Sequence, residues 1–289
     1  MANVIALFKK YIDLLDEVYA QASKTANLDG DTTLVKAGAN TNEIVVPKID
    51  MDGLGDYSRN SGYTQGDVKL TYETVKFDYD RGRKFDVDAM DDEETSGIAF
   101  GKLSSEFIRT KVVPEMDAYR FAKYASVEGV STASGTLADG VAALNAIVNA
   151  VAKMDEDEVA EENRILYITP TLHRMILAID TYKSKEVLES FAQVIKVPQS
   201  RFYTAINLLD GKSDDELVGG YEKAEGGKDI NFMIIQKSAV LQYPKHKVNK
   251  VIAPEANQTS DGYLFFYRAY QLADLYENKV AGVYVHHKA

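Results

Sequence analysis

The chain contains no cysteine. That excludes a disulfide framework, thiolate chemistry and Cys-rich zinc sites, leaving four histidines and the carboxylates as possible metal ligands. No stretch approaches the ~20 consecutive apolar residues that a bilayer-spanning helix needs. Met1 to Lys10 shows no basic region leading into an apolar run and a small-residue cleavage site, so it does not read as a secretory signal. Folding in a cytoplasm, away from membranes, is the expectation. Positive charge is also short: 33 Lys and Arg stand against 44 Asp and Glu, a net charge of -11. Such a chain gains little from counterion release, which disfavours a dedicated nucleic-acid binder. What remains is a 289-residue chain, 45% hydrophobic, long enough for one large core or two smaller ones.

Catalytic signatures are equally scarce. Gly211-Lys212-Ser213 ends like a phosphate-binding loop, but Ile206 holds the position of the required first glycine, so a polar turn is the better reading. Gly53-Leu54-Gly55 is an incomplete dinucleotide pattern with no helix behind it. Asp50-Met51-Asp52-Gly53 has the flavour of a calcium loop, yet Ser61 and Gly62 stand where the closing bidentate glutamate belongs. His173, His246, His286 and His287 lack metalloprotease spacing, and the last two read as exposed. Asn257-Gln258-Thr259 is a sequon expected to go unused without secretion. The reading is therefore of a protein that is not an enzyme, with no cofactor, no metal and no catalytic residues.

The patterning describes an unusual set of parts. Leu7, Tyr11, Leu14 and Val18 carry the apolar stripe of an amphipathic helix from Asn3 to Ser23, whose face needs a partner on its own core or on a neighbour. A turn-rich stretch follows, then a strand from Glu43 to Ile49, with Pro47 indicating an edge. Gly53, Gly55, Gly62 and Gly66 mark a loop before Val68, Leu70 and Tyr72 alternate with polar residues. The parity then switches to Val75, Phe77 and Tyr79, which predicts a bulge near Thr74. Together these make a long hairpin, with Asp67 to Asp80 reaching about 45 Å at ~3.3 Å per residue. An acidic run from Asp86 to Glu94 precedes a helix from Ile98 to Val127 that Pro114 should bend or interrupt. After a small-residue linker, Glu128 to Gly135, comes a mixed α/β half. It has helices over Leu137–Met154, Pro170–Ile179 and Lys185–Ile195, and strands over Arg164–Ile168, Phe232–Ile235 and Val248–Ile252. Aromatic strands from Tyr263 to Val285 close the chain.

Several motifs carry a resemblance. Asp50-Met51-Asp52-Gly53-Leu54 with Asp56-Tyr57-Ser58-Arg59 resembles the extended-loop tip of coat proteins of tailed bacteriophages and prophages. So do Thr71-Tyr72-Glu73-Thr74 through Asp80-Arg81-Gly82-Arg83, and Asp88-Ala89-Met90-Asp91-Asp92-Glu93-Glu94. The stretch from Glu106 through Glu115 is similar to the family's long helix, and Tyr276 through Tyr284 to its end. The likeness covers nearly the whole chain and is most specific between residues 43 and 125.

The resemblance implies an α+β fold of the Hong Kong 97 capsid type. It divides the chain into an N-terminal arm (1–42), an extended hairpin loop (43–86), a peripheral domain with a spine helix (87–130), an axial domain (131–255) and return strands of the peripheral domain (256–289). It implies a major capsid protein that assembles with itself into rings of five and six and then an icosahedral shell. The expected partners are a separate scaffolding protein, because Met1 lies directly on the arm helix, a portal protein, and packaged DNA enclosed without specific binding. The intersubunit residues it implies are Leu7, Tyr11, Leu14, Val18, Asp56, Tyr57, Arg59, Val68, Leu70 and Tyr72. Some relatives join a loop lysine to a neighbour's asparagine with a glutamate assisting. The counterparts here are Lys69, Lys76, Glu277 and Asn278, although surface lysines and asparagines are common and shells without cross-links are the expectation. A bacterial encapsulin shell shares the fold and is the rival reading. A cytoplasmic hydrolase using carboxylates or His173 is a more distant one.

Overall fold

The computed structural model describes residues 23–30, 36–37, 43–90, 104–179 and 182–289. The arm residues Leu7, Tyr11, Leu14 and Val18 lie outside them, as does the acidic run from 91 on.

The hairpin forms where alternation places it. Strands β1 (Lys36–Ala37), β2 (Glu43–Met51) and β3 (Val68–Lys76) make a three-stranded antiparallel sheet in that order. Among the described residues β1 reaches only Ile44 and Val45, so Pro47 has a ladder partner there on the β3 side alone, the edge-type setting in which a proline is tolerated. The β2–β3 register runs unbroken from Glu43↔Lys76 to Met51↔Val68, and no bulge occurs near Thr74. The parity switch has another cause: the chain leaves the hairpin at Phe77–Asp78 and enters a second sheet as β4 (Tyr79–Asp88). The expected 45 Å run is therefore two strands in two sheets.

After β4, the spine begins as helix at residues 104–107, passes through a π-helical turn at Ile108–Val112, and continues as α1 (Val113–Ser126). The Val113 N–H reaches back to the Ile108 carbonyl, five residues away. The wider turn falls immediately before Pro114, which has no N–H to give and whose ring would crowd a regular preceding turn. Pro114 thus sits in the first turn of α1 and the helix continues past it.

The second half builds a five-stranded sheet. β5 (Ser131–Ser134), β6 (Arg164–Ile168), β7 (Gln193–Lys196), β10 (Ile230–Gln236) and β13 (Val283–His287) lie in the order β5-β13-β10-β6-β7. Every residue of β6 and β10 is buried. Their alternate side chains enter two clusters. Leu166, Ile168, Phe232 and Ile234 meet helix α2 (Gly140–Glu156) and helix α3 (Pro170–Leu177). Ile165, Tyr167, Met233 and Ile235 meet the spine. Burial on both faces explains why these strands read as continuous apolar runs. Asp139 caps α2 by accepting from the Ala142 N–H at 2.7 Å. Gly140 lets α2 lie against α3, since a Cβ there would stand 2.2 Å from the Met175 carbonyl oxygen.

Three expectations need correction. Gln193–Ile195 is not the end of a helix: α4 (Tyr182–Glu189) stops short, and the segment pairs parallel to β6. β11 (Val240–Ile252) is longer than expected and pairs with β12 (Gly262–Leu275), which pairs with β4, so it leaves the α/β half and joins the sheet beside the spine. β13 does the reverse: it pairs with β10 and β5 and does not return with β12. A short hairpin of β8 (Ile206–Leu209) and β9 (Gly220–Lys223) joins the two regions. Arg81 and Arg83 of β4 donate to its Gly220 and Leu217 carbonyls.

Candidate intersubunit surfaces

The hairpin has two unlike faces because successive side chains of a strand point to opposite sides. On one, Ile44 and Val75 are buried against Leu241, Tyr243 and Leu272, with Val46, Phe77 and Tyr276 packed around them. This cluster ties the root of the hairpin to its own subunit. On the other face, cross-strand pairs put Pro47 beside Tyr72, Ile49 beside Leu70 and Met51 beside Val68. Val68, Leu70 and Tyr72 are 68%, 51% and 63% exposed. Six apolar side chains on two neighbouring strands thus face outward in a continuous stripe. Scattered exposed apolar residues are ordinary; a contiguous stripe along a projecting ribbon is not.

The tip extends the stripe. Asp67 N–H donates to Asp52 Oδ2 at 2.8 Å, and Asp52 N–H to the Asp67 carbonyl, closing its base. Ser58 and Gly62 bridge within it. The rings of Tyr57 and Tyr63 lie 4.9 Å apart, and Leu54 is fully exposed. Asp56, Tyr57 and Arg59 are all exposed on this tip. The structure brings Val68, Leu70 and Tyr72 onto one face, with Asp56, Tyr57 and Arg59 some distance beyond it.

The lysines raised as cross-link candidates are divided between the faces. Lys69 lies opposite Asp50 on the rooted face, and Lys76 opposite Glu43 on the outward one. Glu277 is engaged within the subunit by Lys48, whose Nζ is 2.7 Å from Oε2. Neither loop lysine is the one beside Glu277. Nearby, burial raises the Glu73 carboxyl, with Glu277 adding to the shift. Mature particles boiled in detergent are expected to run as a single 32.0 kDa band, and a ladder of multimers would overturn that expectation.

A buried polar node, unforeseen from the sequence, fixes the chain just before the hairpin. Asp117 of α1 is fully buried and accepts from Ser23 Oγ (2.9 Å), the Lys24 N–H (3.0 Å) and Thr25 Oγ1 (2.8 Å), with Arg201 at 3.3 Å. One turn on, Arg120 donates to Thr25 Oγ1 (2.8 Å) and Gln271 Oε1 (2.6 Å) and lies 3.7 Å from Asp29. Gln242 donates to the Thr25 carbonyl and to Asp29, and accepts from Tyr124. Burial pushes the Tyr124 hydroxyl well above its usual range, so it remains a donor. Residues 23–30 are thereby strapped onto the spine and the β11–β12 pair.

His286 is not exposed as expected. It is buried on β13, stacks on Phe232 at 5.1 Å, and meets Asn231 at 3.0 Å. Burial lowers its pKa, so it sits there neutral at pH 7. Among the described residues no group of three His, Asp or Glu side chains is placed to hold a metal ion. No helix among them is long and apolar enough to cross a membrane.

No protein-family model matches the chain, and no curated protein matches it by sequence. Solved structures do. A protein of Gordonia phage Cozz aligns with a TM-score of 0.60 at 12% identity, over 92% of this chain and 87% of that one. The capsid of Staphylococcus phage Andhra aligns at 0.56 and 10% identity, over 89% and 84%. A virus-like particle from Pyrococcus furiosus aligns at 0.57 and 12% identity, over 97% and 99%. The chain therefore has the capsid fold of tailed phages, α+β and of the Hong Kong 97 type. Each match covers about nine-tenths of the chain or more.

Proposed function

We propose that this chain is the major capsid subunit of a tailed phage or prophage, a shell-building protein and not an enzyme. The observation that carries the reading is the outward apolar stripe of the hairpin, Pro47, Ile49, Met51, Val68, Leu70 and Tyr72, on a chain with a capsid fold. A two-stranded ribbon is marginal in water by itself, and among the described residues this one packs on its own subunit through the cluster at its root and the Lys48–Glu277 pair. A neighbouring subunit supplies the missing surface. In this reading subunits join into rings of five and six through heterologous contacts, which close when the rotation fits. The shell forms in the host cytoplasm with a scaffolding protein, incorporates a portal, and encloses double-stranded DNA without binding it specifically.

Co-expression with the scaffolding protein is expected to yield closed particles by electron microscopy. A chain that stays monomeric with its scaffold at high concentration would sink the reading. The long alignment with the Pyrococcus furiosus virus-like particle keeps a second reading in view, a nanocompartment shell built on the same fold. Neighbouring genes separate the two: portal and terminase for a phage, a cargo enzyme for a compartment.

A further inference from the structure

We propose that Asn231, His286 and Gly135 form an acid-release catch on edge strand β5, closed at neutral pH. Residues 128–139 carry the chain from the end of α1 to the start of α2, and β5 lies within them. It stands at the edge of the five-stranded sheet and pairs, in parallel, with β13 alone. Thr132 and Ser134 are exposed and Ser131 and Ala133 half-buried, so little apolar burial holds the strand. A short, half-exposed edge strand belongs to the part of a fold that opens first. Its end is tied down at Gly135.

Two bonds make the tie. The Gly135 N–H donates to the His287 carbonyl at 3.0 Å, and the Gly135 carbonyl accepts from Asn231 Nδ2 at 3.1 Å. The same Nδ2 lies 3.0 Å from His286 Nδ1. Only the amide nitrogen suits a carbonyl oxygen, so the Gly135 contact fixes which way Asn231 points. Its two N–H groups then face two acceptors. His286 Nδ1 is therefore bare, and the ring proton sits on Nε2. The ring is held in this pose: it is buried, stacked on Phe232 with 19° between the planes, and a Cβ built on Gly135 would lie 3.8 Å from its Cε1.

Protonation of Nδ1 sets an N–H against an N–H. If the Asn231 amide turns over, its oxygen accepts from the imidazolium but then confronts the Gly135 carbonyl, acceptor against acceptor. Either way Gly135 loses its bond to Asn231, and the end of β5 is released. No carboxylate offsets the new charge. Among the described residues the charge that bears on His286 is that of His287, next in β13, which adds to burial in lowering its pKa. Between β5 and α2 the one titratable group is Asp139, which caps α2, and α2 carries no charged residue before Lys153. At the near end of β10, Asp229 is shared by Lys223 at 2.8 Å and Lys288 at 2.9 Å. In β6, Arg164 lies at the far end, opposite Gln236, and His173 of α3 answers to Lys196 of β7. Because the folded pKa lies below the free value of 6.5, the stability contributed by the catch is complete above that pH and is lost as pH falls below it.

Hydrogen exchange of the full-length subunit, corrected for the intrinsic effect of pH, is the test. From pH 7 to pH 5 the opening constant of residues 128–138 should rise at least about fivefold in the parent, since each pH unit between the free and folded pKa contributes up to about tenfold. The amides of β6 and β10 should change by less than about twofold, because the opening is local. His286→Asn puts a side-chain oxygen near the place of Nδ1, where it accepts from Asn231 without titrating, and should flatten the response of residues 128–138 to under about twofold. Asn231→Asp works in the other direction. Its carboxylate favours the imidazolium and repels the Gly135 carbonyl, so the segment should already be open at pH 7 and open no further in acid. Imidazole nitrogen NMR of the parent at pH 7 should show a bare Nδ1 and a protonated Nε2 on His286. The proposal is overturned by equal protection of the parent segment at pH 7 and pH 5, or by a loss shared equally with β6 and β10. A full acid response in His286→Asn, parent-like protection at both pH values in Asn231→Asp, or a proton on Nδ1 at pH 7 overturns it as well.

Discussion

Replacing Asp117 with alanine is expected to destabilise the unassembled subunit by about 3–5 kcal/mol, the range found when one partner of a buried, hydrogen-bonded charge pair is removed. The carboxylate, itself fully buried, collects two hydroxyls, a backbone N–H and a guanidinium. Its loss takes the acceptor from the buried Thr25 hydroxyl and from the half-buried Lys24 N–H and Arg201 guanidinium, and each donor left unsatisfied away from water carries its own cost. Asp117→Asn should cost less, because one amide oxygen still accepts, but its NH2 group faces donors. The strap makes a second readout. Residues 23–30 reach the spine chiefly through this node, so trypsin should cut after Lys24 far faster in Asp117→Ala than in the parent. Urea unfolding of the isolated subunit gives the stability. A loss under about 1 kcal/mol, the value of an exposed pair, would mean the node is not the anchor described here.

This node also shows what was hidden from the sequence. Asp117 and Arg120 occupy polar positions of an amphipathic helix, three apart, where charged residues ordinarily mark a solvated face. Their partners, Ser23, Thr25, Arg201 and Gln271, are distant in the chain, and nothing local indicates the meeting. Elements with a strong period were legible. The hairpin, the spine from 104 on, α2, β6 and β10 all fall where alternation or helical spacing places them. The partner of each strand was not legible, because a change of sheet and a bulge give the same parity switch, as at Phe77–Asp78. β11 was half hidden because Pro244, Lys245, His246 and Lys247 interrupt its apolar run at the register shift. Phe191, Val194, Ile195 and Val197 fit a helical or an extended spacing equally, and pairing with β6 decides for the strand. The apolar residues of the hairpin were readable as one face from their alternation.

Replacing residues 52–66 by a two-residue turn is expected to leave a folded subunit that does not form stable shells. The subunit should survive because its cores do not involve the removed segment. The root cluster of Ile44, Val75, Leu241, Tyr243 and Leu272 remains, as do the spine and both faces of the five-stranded sheet. Met51 and Val68, the last ladder pair, lie outside the excision, and the two new residues with Asp67 make a three-residue loop, a length that joins two antiparallel strands through a type I turn and a bulge. Circular dichroism and the unfolding midpoint of the isolated subunit should therefore stay close to the parent. Assembly should not. The removed tip carries Leu54, Tyr57 and Tyr63, all largely exposed in the single subunit, together with the carboxylates of Asp52 and Asp56. Stable interfaces generally bury upward of ~1,000 Å² in total, and shortening the clamp removes its far end from every contact in the lattice at once. Because the loss repeats at each subunit, a small deficit per contact becomes failure of the shell. If the trimmed chain forms particles that resist heat and denaturant as well as the parent, the hairpin is not the clamp, and the exposed stripe of Val68, Leu70 and Tyr72 must be covered in another way.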